Sequence, residues 1–171
     1  MNPRIWITGL LLTAFFHAPA RAASGEDKLP AAWVAGAGIL NVLHDEEGGQ
    51  WMGVLEYRFR EVVRGLRPWL GTAHAELGTS FESAGLLYTV KAGEGWRLSA
   101  GWAPTYYDQR RGKDLGSDLV FYSFAEAGYA FRSQQAVSVR FGHLSNGGLG
   151  DHNPGIETLQ VSYSLPFGTG H

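Results

Sequence analysis

The chain has 171 residues, one domain's worth, with a formal net charge of -2 and no cysteine. That charge excludes the basic excess of a nucleic-acid binder. The missing thiols exclude a disulfide scaffold, a cysteine nucleophile and a Cys-ligated zinc site. Charged residues make up only 18% and aromatics 13%, while a hydrophobic fraction of 44% excludes a disordered chain.

Residues 1–22 read as a secretory signal peptide. Arg4 supplies the positive n-region, Ile5 to Phe16 form the apolar run, and Ala20-Arg21-Ala22 fits the small-x-small rule for cleavage after Ala22. The apolar run is too short for a transmembrane helix, which needs ~20 residues. Residues 23–171 then form a single domain, with Ala23 to Pro30 as a polar lead-in.

After residue 30 no helical period appears. Alternation with period two recurs between Gly-rich or charged turns, which predicts eight strands. They fall at about 33–43, 50–60, 67–77, 82–91, 95–104, 118–131, 134–145 and 155–167. In the second, Trp51, Gly53, Leu55, Tyr57 and Phe59 share one face, opposite Met52, Val54, Glu56, Arg58 and Arg60. In the fifth, Trp96, Leu98, Ala100 and Trp102 oppose Arg97, Ser99 and Gly101. In the last, Leu159, Val161, Tyr163, Leu165 and Phe167 oppose Thr158, Gln160, Ser162 and Ser164.

Alternation alone leaves a soluble lipid-binding barrel open, with its apolar face inside. Three features favour an eight-stranded antiparallel transmembrane β-barrel of the outer membrane. Glu56, Arg58 and Arg60 suit a polar interior with internal ion pairs. Trp and Tyr gather near strand ends, as an interfacial girdle requires. The last strand ends in an aromatic, Phe167, with four residues after it. With both ends in the periplasm, Ala92 to Glu94 and the neighbourhood of Ser133 are short inner turns. Thr105 to Ser117, with Arg110, Arg111 and Lys113, and Asn146 to Pro154 are outer loops.

One constellation carries chemistry. Phe141-Gly142-His143-Leu144-Ser145-Asn146-Gly147-Gly148 is followed by Asn153-Pro154-Gly155-Ile156-Glu157. A serine needs a histidine as general base, and often a carboxylate that fixes the histidine tautomer. His143 and Ser145 are two apart on a strand and share a face. Glu157 opens the next strand, which pairs as a hairpin, so it can lie across from His143. All three share parity with the apolar face. On a membrane barrel this puts them on the outer wall near the extracellular rim, where polar groups are costly unless they satisfy one another or meet a polar substrate head. From spacing alone, His-x-Ser is also a chance pattern, and a non-catalytic structural or adhesion barrel stays open.

The run His143 to Gly148 followed by Asn153 to Glu157 resembles the signature of the lipid A 3-O-deacylase (PagL) family. The resemblance extends to the signal peptide, the length, the eight-strand pattern and the C-terminal strand. It implies an outer-membrane esterase that needs no cofactor or metal. Such an enzyme hydrolyses the ester at position 3 of lipid A, remodels lipopolysaccharide and releases a 3-hydroxy fatty acid. Carried over by motif, Ser145 is the nucleophile, His143 the base and Glu157 the orienting carboxylate. The side chain of Asn153 and the backbone N–H of Gly148 form the oxyanion hole. Implied partners are lipid A and outer-membrane lipid, with a homodimer by analogy only. The apolar groove for the acyl chain is expected near Phe141 and Leu159. His44, His74 and His152 have no metal-ligand spacing. Arg110, Arg111 and Lys113 read either as lipid A phosphate contacts or as a solvated loop.

Overall fold

The computed structural model describes residues 28–43 and 48–167. The expected signal peptide, His44 and the last four residues lie outside them. Eight strands follow in chain order: β1 (Ala31–Leu40), β2 (Gln50–Arg58), β3 (Leu66–Ala75), β4 (Ser80–Lys91), β5 (Trp96–Asp108), β6 (Leu119–Ala130), β7 (Ala136–Ser145) and β8 (Ile156–Phe167). Each pairs antiparallel with the next, and β1 closes on β8 from Ala31↔Phe167 to Leu40↔Thr158. Closure leaves no strand edge unpaired, the condition for a sheet to sit in hydrocarbon.

Strand ends differ from expectation by a few residues. β1 stops at Leu40 because Asn41 turns left-handed, with φ 66°. β5 runs four residues past Pro104, to Asp108. Pro104 faces outward on that strand, and the β4–β5 ladder is interrupted only between Ser83↔Thr105 and Leu86↔Trp102. A proline removes one ladder donor without ending the strand. The outer loop therefore spans 109–118 rather than starting at Thr105. The outer β3–β4 connection, 76–79, is as short as the inner turn 92–95.

The two faces follow the alternation. Leu55, Leu86, Val161 and Leu165 point outward and are about half exposed, as lipid-facing side chains are in an isolated barrel. At the inner end Tyr57 packs against Trp33, Phe59 and Phe167, with centroids 5.0, 4.7 and 5.7 Å away. Trp96, Tyr129 and Phe131 form a second such row. These rows are the interfacial girdle.

The interior is filled rather than open. Toward the outer end it holds an apolar cluster that includes Trp69, Phe81, Tyr107, Tyr122, Leu144 and Ile156. At mid-height Glu56, Arg58, Glu126 and Arg140 form a closed network. Arg58 donates to Glu126 at 2.7 and 2.8 Å and to Glu56 at 3.1 Å. Arg140 donates to Glu126 at 2.8 Å and to Glu56 at 3.0 Å, and its guanidinium lies 3.6 Å from the Phe124 ring centroid. Arg60, expected on this inner face, lies past the end of β2 and is exposed.

Candidate functional site

β7 and β8 present the three residues singled out above. The register pairs His143 directly with Glu157, and the rung beneath it pairs Phe141 with Leu159. His143 Nδ1 lies 3.4 Å from Glu157 Oε1. Ser145, the last residue of β7, stands one outward position above His143. Across the β6–β7 seam Phe121 faces Ser145 and Ser123 faces His143. Leu144 and Ile156, paired with each other and fully buried, point the opposite way into the barrel. Their burial fixes the strand register, and one slip would turn His143 and Glu157 inward. Tyr122 and Thr158 close the interior behind the site, with their hydroxyl oxygens 3.0 Å apart.

The loop after β7 is organised by Asn146, which is fully buried. Its Nδ2 donates to the carbonyls of Leu115 at 2.8 Å and His152 at 2.7 Å, tying the 109–118 loop to the 146–155 loop. Its backbone N–H donates to Asn153 Oδ1 at 3.1 Å, which leaves the Asn153 NH₂ as the donating end of that side chain. Its Oδ1 accepts from the Gly148 N–H at 2.8 Å, so that donor is already engaged. The two residues assigned to an oxyanion hole by resemblance thus both hang on Asn146.

Gly155 completes the frame. Its φ is +68°, and a Cβ there would sit 2.6 Å from His143 Cε1 and 3.2 Å from Nε2. Only a glycine lets the backbone run against the imidazole edge at this point. Asn146 and Gly155 were missed in the sequence because their partners are fixed by loop closure. Both stand in the motif quoted above, which gives neither of them a role.

Other expectations fall elsewhere. His152 Nε2 lies 3.5 Å from Asp114 Oδ2, within the loop pair. Arg110 is held by Asp108 at 2.8 Å, and Arg111 is exposed. His74 faces outward on β3. Among the described residues no group of three or more His, Cys, Asp or Glu could hold a metal ion.

Residues 29–166 match the lipid A 3-O-deacylase (PagL) family. The lipid A deacylase PagL of Pseudomonas aeruginosa is 43% identical over 55 residues, 32% of each chain. That of Bordetella bronchiseptica is 27% identical over 77 residues, 44% of this chain and 43% of its own. The chain therefore spans less than half the length of either curated relative in these matches. Among solved structures, the outer membrane enzyme PagL superposes with a TM-score of 0.60 at 26% identity, covering 79% of this chain and 99% of the other. Neisserial surface protein A shares the fold, with a TM-score of 0.54 at 14% identity over 86% of this chain and all of its own. The chain belongs to the lipid A 3-O-deacylase (PagL) family and is an outer-membrane β-barrel.

Proposed function

We propose that the protein hydrolyses the 3-O-linked acyl ester of lipid A in the outer leaflet, with Ser145, His143 and Glu157 as a catalytic triad. The observation that carries this reading is the His143–Glu157 rung on the lipid-facing wall, with Ser145 above it and apolar rungs beneath. A soluble esterase would bury such a group in a cleft. Here the substrate arrives by lateral diffusion, head at the rim and chains in hydrocarbon.

The acyl chain has a path. Below His143 the outward positions of β6 are Ser123, Ala125 and Ala127, and β5 adds Ala100 opposite Ala125. These short side chains leave a trough flanked by Phe141 and Val139 on one side and Trp102 and Leu98 on the other. It runs down the barrel wall, as an acyl chain does.

In this mechanism His143 takes the Ser145 proton as Oγ attacks the ester carbonyl carbon, and Glu157 holds the imidazole through Nδ1. The Asn153 NH₂ stabilises the tetrahedral oxyanion, and the Gly148 N–H joins it only by releasing Asn146. Collapse expels the sugar hydroxyl, which takes its proton from His143 and leaves an acyl-serine. Water, activated by His143, then frees the 3-hydroxy fatty acid and restores Ser145.

The test is mass spectrometry of lipid A from Gram-negative cells making the wild type or Ser145→Ala. The wild type is expected to remove one hydroxyacyl group. Ser145→Ala is expected to lose activity by ~10⁴-fold or more while its barrel stays folded. Intact lipid A with the wild type, in cells and again in detergent, would leave a non-catalytic barrel. Full activity in Ser145→Ala would overturn the triad.

A further inference from the structure

The outer wall carries a second island of polar side chains. Outward strand positions are apolar nearly everywhere except around His143 and on β3–β4, where Thr72, His74, Ser80 and Glu82 face lipid. In a ring of eight strands β3–β4 lies diametrically opposite β7–β8. The register pairs Thr72 with Glu82 and His74 with Ser80. The Thr72 hydroxyl donates to Glu82 Oε1 at 3.4 Å, and its oxygen lies 3.2 Å from His74 Nε2.

The order of these groups decides what they can do. Here the hydroxyl stands between carboxylate and imidazole, whereas a nucleophile needs the imidazole in the middle. The island is therefore rich in acceptors: an exposed carboxylate beside a hydroxyl that donates to it, with His74 Nε2 on that hydroxyl's far side. The nearest rim arginine, Arg110, is taken by Asp108. Among the described residues no cation pairs with Glu82.

Beneath the island the wall opens into a groove of about 580 Å³, lined by Leu55, Leu70, Ala84, Pro104 and Leu119, with Thr72 and Glu82 at its edge. Ala84 and Pro104, both compact and outward-facing, line it where the β4–β5 ladder is interrupted. An apolar groove with a few convergent polar groups is the usual form of a small-molecule site.

We propose that this groove binds one outer-leaflet lipid whose head carries a primary ammonium, that ammonium on Glu82 and Thr72 and an acyl chain along the groove. An ammonium offers three donors and no acceptor, the complement of this cluster. A glycerol head brings its anionic phosphate to Glu82 with no compensating cation, and a quaternary choline has no N–H to donate. A carboxylate at the hydrocarbon edge is costly without such a partner. The site rests on the membrane placement alone and is independent of the deacylase reading.

The test is native mass spectrometry of the full chain, released from micelles holding equal phosphatidylethanolamine, phosphatidylglycerol and phosphatidylcholine with matched acyl chains. The wild type is expected to retain one phosphatidylethanolamine in about fivefold excess over either other lipid, the most an exposed ion pair supplies. Glu82→Gln and Thr72→Val, each shown to be folded by heat-shifted mobility, are expected to lose that excess, and Ser145→Ala to keep it. Equal retention of the three lipids by the wild type overturns the proposal. So does an excess that survives Glu82→Gln. A dimer that weakens in Glu82→Gln without lipid preference would give the groove to a second copy instead.

Discussion

β7 carries two basic side chains three residues apart, and they have opposite surroundings. Arg140 points into the barrel, is 1% exposed, and donates to both Glu56 and Glu126. His143 points into the membrane face with its side chain about a third exposed, facing one carboxylate across 3.4 Å. Inside, each charge is answered by two of opposite sign, and both guanidinium ends are hydrogen-bonded. Outside, the imidazole faces a single carboxylate and the Gly155 backbone, and stays partly exposed. A polar group that is fully paired holds a fold together and has nothing left to offer a substrate. A group held by a single partner keeps capacity for chemistry. The same strand supplies both because alternation sends neighbours to opposite faces.

The comparison breaks most sharply at Arg140. Arg140→Ala leaves Glu56 and Glu126 buried with only Arg58 between them. Removing one partner from a buried pair costs about 3–5 kcal/mol. Urea unfolding in detergent is expected to show that loss as an earlier midpoint. An unchanged midpoint would mean that water already screens the network.

Asn153 tests the other side of the comparison. Asn153→Ala removes the proposed oxyanion donor, so kcat is expected to fall by about 10²–10³, and the Asn146 N–H left without its acceptor is expected to lower the unfolding midpoint by less than Arg140→Ala does. A drop below tenfold would shift the oxyanion to the Gly148 N–H, which would then have to leave Asn146 during turnover.

Much of this arrangement was legible in the residues. Parity alone put Ser145, His143 and Glu157 on the apolar face, and a plain hairpin put Glu157 across from His143, where the register has it. What stayed hidden depends on contacts between distant segments. Pro104 lies mid-strand because β4 and β6 hold β5 on both sides of it. Arg60 has the parity of Glu56 and Arg58, but β2 ends before reaching it. Asn146 reads as a loop asparagine until Leu115, thirty-one residues earlier, supplies the carbonyl it binds. Thr72, His74 and Glu82 were on the outward parity all along. A motif search passes over them because they match no catalytic spacing.

Gly155 sharpens the comparison at smaller cost, because it acts on His143 without touching the proposed acid–base chemistry. Gly155→Ala has two separable effects. The left-handed backbone at φ +68° costs a side-chain-bearing residue about 1–2 kcal/mol. The new methyl, 2.6 Å from His143 Cε1, also forces the imidazole to turn. A displacement of ~1 Å at a reacting group can cost up to ~10²-fold in rate, so a loss of about tenfold or more is expected in kcat with KM little changed. Gly93→Ala is the control. Gly93 sits in the inner turn 92–95 with φ +110° and nothing within 4 Å of its Cβ position. It is expected to pay a similar backbone cost, read as a lower unfolding midpoint, and to keep full activity. If both variants lost stability alone, the contact between Gly155 and the imidazole would be packing rather than alignment. If only Gly155→Ala lost kcat, the glycine before Ile156 and Glu157 would be what holds the base at its working angle.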